Sequence, residues 1–174
     1  MTTAEVLMRR ARPEDALRIA ALARWVWLDR YAIDGVNGDV ADYLRREFDE
    51  QALRQALDLG RHWLVERGDT LLAWAQLDDA SPCPVDVGGP AVELKRLYVS
   101  PRSQGQGLGA RVLRQCRQEW PEQPLWLSAW VGNEDALRFY RREGAAYWGE
   151  TWFELGGEQH RNEVLGWPAL ERLE

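Results

Sequence analysis

The chain has 174 residues, 45% hydrophobic and 29% charged, with a net charge of −6. That length allows one well-covered core, expected as a single domain over 1–174, and the composition excludes disorder. The acidic balance excludes a general nucleic-acid binder, which needs a basic surface, and no apolar run approaches the roughly 18 residues that would span a bilayer.

Residues 5–11 read as a first strand ending at Arg12-Pro13. Pro13-Glu14-Asp15 opens a helix, with proline and acids in the first turn where the helix dipole favours them. Leu17, Ala21, Trp25 and Leu28 follow at helical spacing. After a turn at Asp34-Gly35-Val36-Asn37-Gly38, one helical stretch is expected through Tyr43, Leu44, Phe48, Leu53 and Leu57 to Gly60. His62–Glu66 and Thr70–Leu77 form a hairpin around Gly68-Asp69. Residues 78–90 make one long loop, and Val92–Val99 is a strand. A glycine-rich turn and a helix through Leu108, Val112, Leu113 and Cys116 follow, ended by Pro121. Leu125–Val131 is a strand, Glu134–Arg142 a helix stopped by Gly144, and two strands near 146–155 and 160–167 close the chain. The order is that of a mixed α/β (α+β) fold: a twisted, mostly antiparallel sheet of about six or seven strands with about four helices.

Met1-Thr2-Thr3-Ala4-Glu5 lacks the layout of an export signal. Cys83 and Cys116 lie far apart without CxxC spacing, so a disulfide scaffold or zinc ribbon is not expected and a reducing cytoplasm is. No metal is expected. The ten tryptophans are read as packing residues, with a few available to line a pocket for an alkylammonium through cation–π contact.

The most informative segment runs from Glu93 to Gly109. A strand leads into Gln104-Gly105-Gln106-Gly107-Leu108-Gly109 and a helix begins at once. Glycine there permits positive φ and close approach of the backbone, and the unpaired amides of the helix's first turn suit a pyrophosphate. Arg102 and Arg111 are near enough in sequence to add charge. A ligand-free tight turn would read alike. A dinucleotide fingerprint would need its first glycine two residues earlier and an early βαβ unit, and no Gly-Lys-Ser/Thr of a P-loop is present.

Gln-x-x-Gly-x-Gly at 104–109, after the strand Leu94–Val99, resembles the acetyl-CoA-binding motif of the GCN5-related N-acetyltransferases. The segment from Trp126 through Asn133, Ala136, Phe139 and Tyr140 to Gly144 resembles that family's next motif. Within the family, Glu93-Leu-Lys-Arg-Leu-Tyr-Val and Leu125-Trp-Leu-Ser-Ala-Trp are most similar to bacterial spermidine/spermine N-acetyltransferases. Ala145 departs from the phenylalanine usual after the glycine. The resemblance implies acetyl-CoA as cosubstrate, held by Leu97, Tyr98 and Val99 along the strand, by Gln104, Gly105, Gln106, Gly107, Leu108 and Gly109 at the turn, and by Asn133, Ala136, Phe139 and Tyr140. It also implies a backbone N–H near Leu97 that polarises the thioester carbonyl.

An alkylamine of pKa near 10.4 is only about 0.04% neutral at pH 7, a penalty of about 4–5 kcal/mol, so a base has a use. The resemblance gives that task to Glu93, acting through water, and gives Tyr140 the proton for the leaving thiolate. Read without it, Glu93 is an ordinary strand acid, Tyr140 a core aromatic and Asn133 a helix N-cap. No Gly-x-Ser-x-Gly or Cys/His pairing stands out, and neither His62 nor His160 has a partner at ligand spacing, so direct attack is expected. The expected acceptor is a small amine, a polyamine first, with an aminoglycoside, amino acid or protein N-terminus as rivals. Asp34, Asp39, Asp42 and Asp49 could offer countercharge. A non-catalytic acyl-CoA sensor is the rival from another class. No nucleic-acid or membrane partner is expected, and the resemblance leaves open a homodimer.

Overall fold

The computed structural model describes residues 5–170. Residues 1–4, part of the segment searched for an export signal, and 171–174 lie outside the described residues. In chain order come β1 (Val6–Arg10), a 3-10 turn (Pro13–Asp15), α1 (Ala16–Tyr31), α2 (Gly38–Glu47), α3 (Glu50–Leu57), β2 (His62–Arg67) and β3 (Thr70–Asp78). Then follow β4 (Val92–Val99), a 3-10 turn (Pro101–Ser103), α4 (Leu108–Glu119), β5 (Leu125–Trp130), α5 (Glu134–Arg142), β6 (Ala146–Leu155) and β7 (Glu158–Trp167). Seven strands hydrogen-bond in the order β1-β2-β3-β4-β5-β7-β6. The sheet is mixed: β4 and β5 run parallel, while β1–β2, β2–β3, β5–β7 and β6–β7 are antiparallel. Among the described residues no helix is long and apolar enough to cross a membrane. Two units divide the chain, one to Gln76 with Arg96–Leu113, the other Leu77–Lys95 with the residues from Arg114 on.

In the first unit, Asp15 is more than the dipole-matching acid its sequence position suggests. It is 4% exposed and accepts hydrogen bonds from Arg9 Nη1 at 2.8 Å, Arg9 Nη2 at 2.9 Å and Arg18 Nη2. Arg9 also donates from Nε to Glu66 at 2.7 Å, tying β1, α1 and β2 through one ionic cluster. Those bonds, the Arg9 pair first, hold the Asp15 carboxyl well below the usual carboxylate range.

Leu17, Ala21 and Trp25 turn outward: Leu17 is 62% and Trp25 44% exposed. The buried stripe of α1 is Ala16, Ile19, Ala20, Ala23 and Trp27, where small alanines let the helix approach its neighbours closely. The helical stretch expected through Tyr43–Leu57 is two helices. Phe48, fully buried, ends α2, and the Asp49 side chain accepts from Ala52 N at 2.8 Å to cap α3. His62 is also buried. Its Nδ1 accepts from Trp74 Nε1 at 3.1 Å and the rings stack 5° from parallel. Burial, and then the Arg96 charge, pushes its pKa down to about 4, so it stays neutral.

In the second unit, the ladder joining β4 to β5 carries two pairs, Val92↔Leu125 and Glu93↔Trp126. On its other side β5 pairs with β7 along its whole length, from Leu125↔Trp167 to Trp130↔Asn162. Opposite partners share a face. Glu93, Trp126, Ser128 and Trp130 therefore lie on one face of the sheet with Asn162 and Val164, and Leu125, Leu127 and Trp167 on the other. Cys83, Val85 and Val87 of the long loop pack with Trp148 onto Ala91, Trp126 and Val164.

Candidate active site

The glycine turn belongs to the first unit and is built from backbone. Pro101 starts a single 3-10 turn, closed by Ser103 N donating to Ser100 O at 2.8 Å, while Ser100 N reaches Leu72 O at 2.8 Å. Gly105 and Gly107 follow with φ of 76° and 77°, which L side chains rarely adopt. A Cβ at either position would meet nothing within 4 Å, so these glycines are required by conformation and the space above them is open. Arg111 N donates to Gly107 O at 3.1 Å, the first bond of α4. The amides of Leu108, Gly109 and Ala110 thus have no partner inside the helix and point out of its positive end. Leu108 is the anchor, buried with Val112, Leu113 and Cys116, while Gln104 to Gly107 are all exposed.

The two glutamines brace the turn. Gln104 Nε2 donates to Val99 O at 3.3 Å and Gln106 Nε2 to Arg102 O at 3.4 Å. Arg111 is not turned to an anion: its Nη1 donates to Val6 O at 3.2 Å. Along β4, Leu97, Tyr98 and Val99 are half-buried, and the Tyr98 ring meets Phe48 and Trp74 edge-on at 6.1 and 5.8 Å. Burial pushes the Tyr98 phenol up, so any role here falls to its backbone.

The second unit holds the other residues. Asn133 Oδ1 accepts from Ala136 N at 3.2 Å, so the N-cap reading holds. At the far end Gly144, at φ 88°, closes α5 with Gly144 N to Arg141 O and Ala145 N to Tyr140 O, both 3.0 Å, a Schellman arrangement. Between these caps Tyr140 is 9% exposed. Its ring stands edge-on to Trp167 at 6.2 Å and to Phe139 at 5.1 Å, and Trp167 is fixed by its Nε1 donating to Glu143 O at 2.9 Å. Phe139 and Ala136 are half-buried.

Tyr140 therefore stands with the Trp167 face of the sheet, whereas Glu93, half-buried, lies on the opposite face with Trp126. The structure does not bring the two expected catalytic side chains together. Glu93 is the last β4 residue in register with β5, since Leu94 and Lys95 have no register partner there. Sequence reasoning could not find Trp167 as the support of Tyr140, because no local spacing links them. It also missed the first unit's group of Trp27, Tyr31 and Tyr43, with centroids 5.0 and 4.9 Å apart. Burial and then Glu47 push the Tyr43 phenol up to about 12. The acids counted as countercharge are partly committed, Asp42 to Arg45 at 3.1 Å and Asp49 to its cap. Among the described residues no group of three or more His, Cys, Asp or Glu is placed to hold a metal ion.

The family model described as "Acetyltransferase (GNAT) family" matches residues 19–145. An N-acetyltransferase, itself uncharacterized, encoded in the 3′ region of pepI in Lactobacillus delbrueckii subsp. lactis is 27% identical over 159 residues, 87% of this chain and 91% of its own. The PaiA N-acetyltransferase of Thermoplasma acidophilum, solved with coenzyme A, has the same fold at TM-score 0.70 and 17% identity, covering 91% of this chain and 98% of its own. The yncA protein of Salmonella typhimurium, solved with acetyl-CoA, superposes at TM-score 0.69 and 18% identity over 98% of each chain. The chain belongs to the acetyltransferase (GNAT) family, and is an acyltransferase that works with acetyl-CoA.

Proposed function

We propose that the protein transfers the acetyl group of acetyl-CoA directly to a primary amine, with a polyamine such as spermidine or spermine as acceptor. One observation carries the reading: two left-handed glycines, with open space at each, lead into the unpaired first-turn amides of α4, a seat for the diphosphate of an acyl donor.

The glycine turn fits the diphosphate: open space over Gly105 and Gly107 and amides at Leu108 to Ala110 suit an anion. Leu97, Tyr98 and Val99 would bind the pantetheine arm by backbone, and Asn133, Ala136 and Phe139 would line the sulfur end. Acetyl-CoA supplies an activated acyl group with a thiolate to leave. Glu93 takes the ammonium proton through water, freeing the nitrogen lone pair for attack. The Leu97 N–H donates to the carbonyl oxygen as negative charge gathers there. Tyr140 gives its phenol proton to the departing sulfur. The acceptor choice rests on the net charge of −6 and on the resemblance of Glu93–Val99 and Leu125–Trp130. Neither Cys83 nor Cys116 is in a disulfide, which suits a reducing cytoplasm.

A panel of spermidine, spermine, an aminoglycoside, lysine and a peptide N-terminus, followed by thiol release from acetyl-CoA, tests this. Turnover of the polyamines at the lowest KM is expected. Turnover of another member alone removes the polyamine, and tight CoA binding with no amine acetylated favours a sensor.

A further inference from the structure

Two polar groups of the second unit lack partners, and they stand side by side on one ladder. Trp126 is 4% exposed, and its indole Nε1–H is buried and finds no acceptor among the described residues. Cys83, Val85 and Val87 of the long loop and Trp148 pack with Ala91 and Val164 around it, a cover none of whose side chains is a strong acceptor. Glu93 is half-buried, and among the described residues its carboxylate makes no hydrogen bond or ion pair. Lys95, next along the same face of β4, is drawn to Asp78 instead, at 3.7 Å.

Register joins the two groups. Glu93 pairs with Trp126 in the parallel ladder, so both side chains leave the same face of neighbouring strands, which lie about 4.8 Å apart. A direct bond would bring donor and acceptor to about 2.9 Å, and none forms. One water making two hydrogen bonds of about 2.8 Å spans up to about 5.6 Å, the scale of the strand spacing. A buried donor beside a half-buried acceptor at that spacing is the setting in which proteins hold an ordered water.

We propose that Trp126 is a positioning residue for acetyl transfer: its indole N–H holds the water through which Glu93 takes the proton of the acceptor amine. This rests on the amine-transfer reading and deepens it. The indole N–H occupies one lone pair of the water and Glu93 draws one of its hydrogens, so the second lone pair is left for the ammonium. In the transfer an N–H bond of the ammonium breaks and its proton joins the water oxygen. The O–H directed at Glu93 breaks in turn, and that proton goes to the carboxylate. The nitrogen keeps the electron pair with which it attacks, and the water is restored. Glu93, being only half-buried, keeps a side open for the amine.

Thiol-release assays use the amine of the panel above that is turned over fastest. Replacing Trp126 by benzothienylalanine keeps the bicyclic ring and puts sulfur where the N–H was. It should lower kcat at least about ten-fold, with the amine and acetyl-CoA KM values within about two-fold. Trp126→Phe removes the same donor with a smaller ring and should fall in step. In Glu93→Gln protein the benzothienyl replacement should cost no further kcat; equal losses in both backgrounds would mean a packing role and overturn the proposal. A second readout needs no turnover. With isotope-labelled tryptophan, and the Trp126 indole resonance assigned by its loss in Trp126→Phe, a dipolar cross-peak from that N–H to water is expected, and it should vanish in Glu93→Leu. A cross-peak with no amine acetylated keeps the water and sinks the amine-transfer reading. Acetylation with no cross-peak sinks this role of Trp126 alone.

Discussion

The turn before α4 and the tyrosine end of α5 are built by opposite means. Residues Gln104 to Gly107 are exposed, their shape set by two left-handed glycines, and what they offer is backbone amides. Tyr140 is buried, held edge-on by Trp167 and by a helix capped at both ends, and what it offers is one hydroxyl. The turn should therefore lose function through conformation with little loss of stability. The tyrosine should lose chemistry with its packing intact, provided the ring is kept.

The largest effect expected is from Tyr140→Phe, which keeps the ring against Trp167 and removes the proton donor. Its kcat should fall by about 10³-fold with acetyl-CoA KM nearly unchanged, as proton-transfer catalysis allows. Steady-state rates with a fixed amine check it, and a kcat within a few-fold of wild type would break the contrast.

A pH scan tests the ground the turn stands on. His62 lies in the first unit with its pKa pushed down to about 4, against about 6.5 when unfolded. Between those values the unfolded chain binds the extra proton. Stability present above pH 6.5 is therefore lost as pH falls toward 4, by about 3 kcal/mol. Urea melts from pH 7 to 4 should show that loss, and His62→Gln should flatten it. Asp15, also depressed, adds a further loss only below about pH 4, as its carboxylate protonates.

Smaller again is Gly107→Ala. Positive φ costs an L residue about 1–2 kcal/mol, so the exposed turn should relax out of that conformation when free, and acetyl-CoA KM should rise by about ten-fold with kcat and melting temperature little changed. A kcat loss without a KM change would mean the turn is not a binding element. Least of all, Cys83→Ala and Cys116→Ala should leave kcat within about two-fold. An inactive variant with a normal melt would point to an acyl-enzyme and against direct transfer.

The same contrast explains what the sequence could disclose. The turn was legible because only glycine takes its φ, and α5 because Asn133 and Gly144 mark its ends, which fall at Glu134 and Arg142 as expected. The buried side of α1 was not, since alanines at 16, 20 and 23 carry less signal than the exposed Leu17 and Trp25. The break at Asp49 was hidden by apolar residues that continue through both helices. Asp15 and Trp167 depend on partners in other strands or helices, which no local spacing encodes.

The central claim is that backbone amides at the start of α4 hold the diphosphate of the acyl donor. Titrating the isotope-labelled protein with coenzyme A and following its amide resonances tests this directly. The account predicts that Leu108, Gly109 and Ala110 show the largest downfield shifts, saturating together. Saturable binding that leaves these three unmoved would contradict it.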